Sequence, residues 1–285
     1  MLSYRHAFHA GNFTDVHKHV ALVMLLEHLL RKDAPFCCLD THAGAGVYDL
    51  DSRYAQRNRE FETGIARLWG RSDCPAPVAR YVDIVRGLNP PEADGTLRLR
   101  WYPGSTWIAR TFLRPADRIV ASELHSTDAP MLKQCFARDL QVSTHHRDGF
   151  EILPALVPPR ERRGLVVMDP SYEVRNEFAR VVETLGAAWH KWPTGIYLLW
   201  YPVQRRQPLA QFHHALKRGG MRKVLMNELS VEPDVAPNRL SGSGLIVVNP
   251  PWQFEAEFRI VTRWLERALE RGTHPPARSR WLVPE

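Results

Sequence analysis

Short apolar runs bounded by glycine, proline or aspartate recur along the chain, separated by stretches whose apolar residues return at helical spacing. Seven runs predict strands: Phe36 to Asp40, Arg118 to Glu123, Gln141 to His145, Gly164 to Asp169, Ile196 to Tyr201, Lys223 to Leu229 and Leu245 to Asn249. Helices are predicted between most of them, among them Asp15 to Lys32, Pro130 to Arg138, Glu177 to His190 and Pro208 to Lys217. Strands alternating with helices require a mostly parallel sheet covered on both faces, so the fold class is α/β with a Rossmann-like seven-stranded sheet. The sixth and seventh strands sit close enough in the chain, across the proline-rich stretch 233–237, to allow an antiparallel pair, and the last strand is expected to be antiparallel.

The segment from Asp49 to Arg100 breaks the alternation. It has little β character, and its Tyr54, Phe61, Ile65, Leu68 and Trp69 recur at roughly helical spacing before a proline-containing break and Val78 to Leu88. Residues 49–101 are therefore expected to form an inserted helical subdomain. Residues 1–48 supply an N-terminal arm, a helix and the first strand, and residues 102–285 the remaining core. An insertion at the carboxyl edge of a parallel sheet stands beside the usual ligand crevice and can cover a substrate.

The chain has 285 residues, 44% hydrophobic and 24% charged, which excludes collagen-like, disordered and membrane-spanning classes. No signal peptide or transmembrane segment is visible, since the longest apolar run, Val20 to Leu26, is followed by Glu27 and His28. Cys37, Cys38, Cys74 and Cys135 show no C-x-x-C spacing, and the adjacent pair would face opposite sides of a strand. A reduced, cytoplasmic protein without a metal-binding cysteine set is expected. Thirty-eight Lys plus Arg against 31 Asp plus Glu give a formal charge of +7, which favours a polyanionic partner such as nucleic acid. Only six of the 38 are lysines, so the excess is carried by arginine, whose fork suits bidentate phosphate contacts.

Candidate chemistry sits at the strand ends. The first strand runs into Asp40-Thr41-His42-Ala43-Gly44-Ala45-Gly46, a tight turn that lets backbone approach a ligand. A dinucleotide fingerprint would need a third glycine at position 49, where Asp49 stands, so NAD and FAD lose support. Glu123 closes the second strand, where a carboxylate accepts both hydroxyls of a ribose, and Asp148-Gly149 follows the third, where an aspartate can accept an adenine amino hydrogen. The fourth strand leads into Asp169-Pro170-Ser171-Tyr172. An exocyclic amino group is a poor nucleophile because its lone pair is delocalised into the base. A carboxylate (Asp169) and a backbone carbonyl (Pro170) accepting its two hydrogens would return electron density to nitrogen, while Tyr172 stacks on a flipped-out base for about 1–3 kcal/mol. Asn249-Pro250-Pro251-Trp252 is a rival copy, expected at a sheet edge after the seventh strand, and position in the chain favours Asp169.

Six of the 13 histidines fall in the first 42 residues, but His17 and His19 are two apart on a helix and diverge, and carboxylate or cysteine ligands at metal spacing are missing nearby; no metal is expected.

These blocks, together with M-L-S-Y-R-H-x-F-H-A-G-N at the start, D-V-x-K-H at 15–19, Y-P-G-S at 102–105, T-G-I-Y at 194–197, L-W-Y-P-V at 199–203 and the ending W-L-V-P-E, resemble the large-subunit ribosomal RNA methyltransferase J family over nearly the whole chain. The resemblance implies direct transfer of a methyl group from S-adenosylmethionine to N6 of an adenine in 23S ribosomal RNA. It implies cofactor contacts at His19, His42, Ser105, Glu123, Asp148, Gly149 and Asp169, catalysis by Asp169, Pro170 and Tyr172, and substrate contacts at Tyr4, His6 and Lys18. The family tetrapeptide is usually D-P-P-Y, so Ser171 is a departure, with the acid, the first proline and the aromatic retained. The expected partner is 23S RNA, protein-free or in early assembly, met by a monomer. A DNA adenine methyltransferase would share the tetrapeptide, and a binding module with a vestigial pocket would share the basic surface.

Overall fold

The computed structural model describes residues 4–174, 176–204, 209–233 and 240–285. Ten strands, β1 (Cys37–Asp40), β2 (Val47–Asp49), β3 (Trp101–Pro103), β4 (Arg118–Glu123), β5 (Val142–His146), β6 (Gly164–Met168), β7 (Ile196–Val203), β8 (Val224–Ser230), β9 (Gly242–Val248) and β10 (Arg278–Val283), are found among the described residues. The helices are α1 (Phe13–Leu30), α2 (Arg53–Asn58), α3 (Ala76–Gly87), α4 (Ser105–Arg110), α5 (Asp128–Cys135), α6 (Gly149–Leu156), α7 (Glu177–Lys191), α8 (Leu209–Arg218) and α9 (Phe254–Leu269). All seven predicted strands form, with ends shifted by a few residues. Pro208, the expected start of the fourth helix, lies outside the described residues, as do 234–237 of the proline-rich stretch and Met1 to Ser3.

The main sheet has eight strands rather than seven, in the order β10-β8-β9-β7-β6-β1-β4-β5. The additional one, β10, pairs antiparallel with β8. Its Arg278, Ser279 and Arg280 read as polar loop, and only Leu282 of the strand is buried, as suits an edge strand that borrows its order from its neighbour. β7, β6, β1, β4 and β5 run parallel, and β9 inserts antiparallel between β7 and β8. The chain starts at β1 in the middle, lays β4 and β5 on one side and returns to place β6 on the other. This reversal opens a crevice beside the carboxyl end of β1.

Side-chain alternation divides the core in two. Cys38, Leu165, Val167, Leu225 and Val247 face α1 and α9; Cys37, Leu39, Val166, Met168, Met226 and Val248 face α6, α7 and α8. The two adjacent cysteines therefore sit in different cores, as strand geometry requires. β9 is interior, which corrects the expectation that Asn249 ends an edge strand. Because β9 runs antiparallel, Asn249 emerges at the opposite end of the sheet from Asp169, its amide donating to the carbonyls of Pro193 (2.7 Å) and Gly195 (2.7 Å) below β7.

Residues 50–100 carry α2, two 3-10 turns and α3, tied at the base by the short antiparallel pair β2 and β3. Their Ile65, Leu68, Val78, Tyr81 and Val85 are fully buried in the same cluster as α1. Helix α1 is covered on nearly every side, 15 of its 18 residues being buried, so any charge it carries has to be paired within the fold. Asn12 caps it, its side chain accepting from the amides of Thr14 and Asp15, both at 3.0 Å. Since Leu22 is fully buried at the centre of this cluster, Leu22→Ala is expected to cost about 2–5 kcal/mol. Urea unfolding of the variant against the parent checks this; a loss below about 1 kcal/mol would mean that the site collapses around the deletion.

Candidate active site

Four loops at the carboxyl ends of the parallel strands β1, β4, β5 and β6, together with the turn after β3, the buried face of α1 and the N-terminal arm, enclose one cavity. Ten of the predicted residues line it: Tyr4, His6, Lys18, His19, His42, Ser105, Glu123, Asp148, Gly149 and Asp169. Pro170 and Tyr172 do not. Tyr172 lines a second, adjoining cavity with Trp200, Glu173 and Arg271, and Tyr4 and Ser171 line both, so the Asp169 turn and Tyr4 stand at the boundary between the two.

The electrostatic centre is a residue that sequence reasoning left without a role. Asp15, buried in the first turn of α1, accepts from Lys18 Nζ (2.9 Å) through Oδ1, and from His6 Nε2 (2.8 Å) and the Gly11 amide (2.9 Å) through Oδ2. Lys18 Nζ also donates to Asp169 Oδ2, so one ammonium bridges α1 to the end of β6. Burial disfavours the charge on all three groups of the Asp15 cluster, but the pairing outweighs it. Asp15 is held well below the usual carboxylate range by His6, Lys18 and His19, the Lys18 ammonium is raised by its two carboxylates, and His6 is raised by Asp15. The signal in the sequence was the spacing of Asp15, Lys18 and His19, which puts all three on one helix face.

His17 and His19 diverge. His17 points at the sheet, against Ser243 and Asn227. His19 Nδ1 meets Tyr102 Oη at 2.8 Å, which meets Tyr81 Oη at 2.8 Å, while its Nε2, buried in the cavity wall, has no hydrogen-bond partner. If Tyr81 donates to Tyr102 and Tyr102 to Nδ1, every buried hydroxyl proton is satisfied, and Nε2 carries a proton directed at the cavity. His42 is neutral: burial pulls its pKa down to about 4. Tyr81 lies on α3 and Tyr102 on β3, and no local pattern links them to His19.

At the strand ends, Asp40 is buried and accepts Ser105 Oγ (2.6 Å) and Thr106 Oγ1 (2.8 Å). Glu123 accepts the amides of Gly44 (2.8 Å) and His125 (2.6 Å), and burial raises its pKa against those two bonds. Asp148 caps α6 through the Phe150 amide (2.9 Å) and pairs with Arg180 (2.8 Å). Gly149 is obligatory for space: a Cβ there would lie 2.0 Å from the Thr41 carbonyl oxygen. In the tetrapeptide turn, Tyr172 adopts φ +56°, a left-handed conformation rare for an aromatic residue and costing of order 1–3 kcal/mol. Its hydroxyl donates to the Trp200 carbonyl (2.8 Å) and its ring leans on Phe178. Among the described residues nothing donates to the Pro170 carbonyl. Among the same residues no group of three or more His, Cys, Asp or Glu is arranged to hold a metal ion, and no helix is long and apolar enough to cross a membrane.

A doubly wound sheet with an acid at the end of β4, a glycine turn after β1 and a polar crevice between them defines an α/β protein of the Rossmann-like class, built to hold a nucleoside-bearing ligand. Comparison with known proteins narrows this. The family model described as "Ribosomal RNA large subunit methyltransferase D, RlmJ" matches residues 33–283. Two proteins named ribosomal RNA large subunit methyltransferase J, from Escherichia coli (strain K12) and Haemophilus influenzae, are 44% and 40% identical over the full length of both chains. The crystal structure of protein LPL1258 from Legionella pneumophila superposes with a TM-score of 0.85 at 34% identity, covering 95% of this chain and 97% of that one. The chain belongs to the ribosomal RNA large subunit methyltransferase J family.

The buried histidines give the fold an acid limit. His17 and His42 are both pulled down to about 4 by burial but titrate near 6.5 when unfolded, so unfolding takes up protons between those values and stability falls as pH drops from 6.5 towards 4. His6 works in the opposite sense: its raised pKa contributes stability that is complete below 6.5 and lost as pH rises through the folded value. The contribution of Asp15, whose pKa is depressed, persists until pH falls below its unfolded value of 3.8. The expected result is a urea midpoint that declines steadily from about pH 6.5 to about 4.5, with a shallower slope in His42→Gln. A flat midpoint across that interval would contradict the buried, neutral assignment.

Proposed function

We propose that the protein transfers a methyl group from S-adenosylmethionine to N6 of an adenine in 23S ribosomal RNA by direct displacement. The observation that carries this reading is the pairing of two acceptors at the boundary of the cavities. Asp169 accepts from Lys18 through Oδ2, which leaves Oδ1 unclaimed, and the Pro170 carbonyl beside it is unclaimed as well. Two free acceptors match the two hydrogens of an adenine amino group and nothing more elaborate.

The residues fit the cofactor. A carboxylate for a ribose diol (Glu123), an acceptor for an adenine amine (Asp148), a glycine with no room for a side chain (Gly149) and an orphaned donor (His19 Nε2) line one crevice. His42 and Ser105 complete its walls. When bound, S-adenosylmethionine supplies a methyl group activated by a sulfonium. The chain's own residues orient the amine: Asp169 and Pro170 accept its hydrogens and draw electron density onto N6, and Tyr172, in the second cavity, offers its ring to the base. Tyr4, His6 and Lys18 form the side of the crevice nearest that base. Ser171 in place of the usual second proline keeps both acceptors, so activity is retained. On this reading the enzyme is a metal-free cytoplasmic monomer acting on protein-free or early-assembly RNA, with residues 49–101 as a subdomain beside the crevice.

Incubation of 23S RNA lacking the modification with S-adenosylmethionine, followed by mass spectrometry of nucleosides, is expected to give N6-methyladenosine. Asp169→Asn should lower kcat by about 10²- to 10³-fold. RNA binding without any methyl transfer by the parent protein would overturn the reaction, and equal turnover of single-stranded DNA would replace the substrate. In calorimetric titration Glu123→Ala should weaken S-adenosylmethionine by about 10- to 100-fold, the loss of charged hydrogen bonds of about 1.5–3 kcal/mol. Unchanged affinity would remove Glu123 from the cofactor site.

A further inference from the structure

The catalytic crevice is poorly suited to hold an RNA backbone. Its two cavities present Glu123, Asp128, Asp148, Asp169 and Glu177 in one and Glu60, Glu173 and Glu232 in the other, and the cations among them, Lys18, Arg180 and Arg271, are paired with Asp169, Asp148 and Glu232 of the same walls. Phosphates are repelled by such walls, so the groups that anchor a polyanion have to lie elsewhere on the surface.

A groove between α9 and β10 has the opposite character. Arg259 and Arg263, one turn apart on α9, line it together with Ser279 of β10 and Asn227 of β8, and no carboxylate does. Arg263 forms no ion pair with any described residue, and Glu255 stands 3.8 Å from Arg259, too far for a hydrogen bond. Ser279 Oγ and Asn227 Nδ2 are both buried atoms without a hydrogen-bond partner, and Asn227 as a whole is fully buried. A buried donor that makes no hydrogen bond is costly, so two in one groove call for a ligand that accepts.

In the structure the Asn227 amide points Oδ1 at His17 and Thr262, and one chain of hydrogen bonds accounts for that direction. Trp200 Nε1 can only donate, and does so to Ser243 Oγ (3.1 Å), which leaves the Ser243 hydroxyl proton for His17 Nδ1 (2.9 Å). His17 is neutral, so its single proton is on Nε2 and is donated to Asn227 Oδ1 (2.8 Å). The other end of the amide, Nδ2, is thereby turned to the groove. Two residues on from Ser279, on the same face of β10, Trp281 is 42% exposed. Guanidinium groups and amide and hydroxyl donors beside an exposed indole match a phosphate with an unpaired base next to it.

We infer that the α9–β10 groove is a second RNA site, binding a backbone phosphate of the substrate strand outside the catalytic crevice. This rests on RNA being the substrate. α9 and β10 are joined at the catalytic end of the sheet by residues 270–277, whose Arg271 pairs with Glu232 in the wall of the second cavity, so a strand leaving that cavity can reach the groove.

The test is filter binding of unmodified 23S RNA across a range of KCl with the double variant Arg259→Ala, Arg263→Ala, alongside Arg263→Lys, which keeps the charge. The slope of log Kd against log [KCl] should fall by about 1 for each phosphate that the double variant no longer neutralises. Arg263→Lys should retain most of the slope. KM for RNA should rise in the double variant, while S-adenosylmethionine affinity and the rate at saturating RNA stay at parental values. An unchanged slope and Kd would overturn the site. So would a shift of the Asn227 side-chain amide resonances on titration with inorganic phosphate without any effect on RNA, since the groove would then hold a free ion only. If the parent protein forms no N6-methyladenosine yet the double variant still lowers the slope, the groove stands and the reaction assigned above falls.

Discussion

One ammonium group organises the centre of this molecule. Lys18 Nζ, buried on the most enclosed helix of the fold, is shared by Asp15 on its own helix and Asp169 at the end of a central strand. Removing Lys18 would take the shared cation from two carboxylates, one of them fully enclosed, a penalty of roughly several kcal/mol, so helix, strand end and N-terminal arm are held in one arrangement. The same interaction orients the Asp169 carboxylate and uses only one of its oxygens. Structural and chemical requirements thus converge on a single side chain, and neither can be relaxed without the other.

The doubly wound topology decides which of two similar motifs can work. Asp169-Pro170-Ser171-Tyr172 and Asn249-Pro250-Pro251-Trp252 look alike as strings, and the second follows the general pattern more closely. Chain direction separates them. β6 is parallel to β1 and delivers its turn to the crevice, whereas β9 is antiparallel and delivers its turn to the far end, where the asparagine amide closes a loop below β7. Strand direction, rather than edge position, disqualifies the second copy.

Most of the sheet and most of the crevice are legible in the amino-acid sequence. Apolar runs bounded by turn residues locate seven strands because buried strands have to be apolar, and acidic residues or glycines just past a strand end have few reasons to be there other than a ligand. The features without a local signature are the ones that only the fold reveals. β10 is polar because it lies at an edge and takes its order from β8. Asp15 is visible as a motif letter, but its place as a hub depends on the arm folding back so that His6 and Gly11 reach it. Tyr81 on α3 and Tyr102 on β3 support His19 across a packing that no periodicity reports, and the left-handed backbone of Tyr172 is invisible in any string of letters.

The division of the core by strand alternation also bears on sulfur chemistry. Cys37 and Cys38 are enclosed in separate cores, and burial raises the Cys37 thiol to about 12 and the Cys38 thiol well above its usual value, while Cys135, half-buried near the glycine turn, is raised to about 11. Thiolate is the reactive form of cysteine, and at neutral pH almost none of it exists at these three positions. A protein that uses an alkylating methyl donor thereby keeps these three sulfur nucleophiles disarmed, protected from self-alkylation by burial.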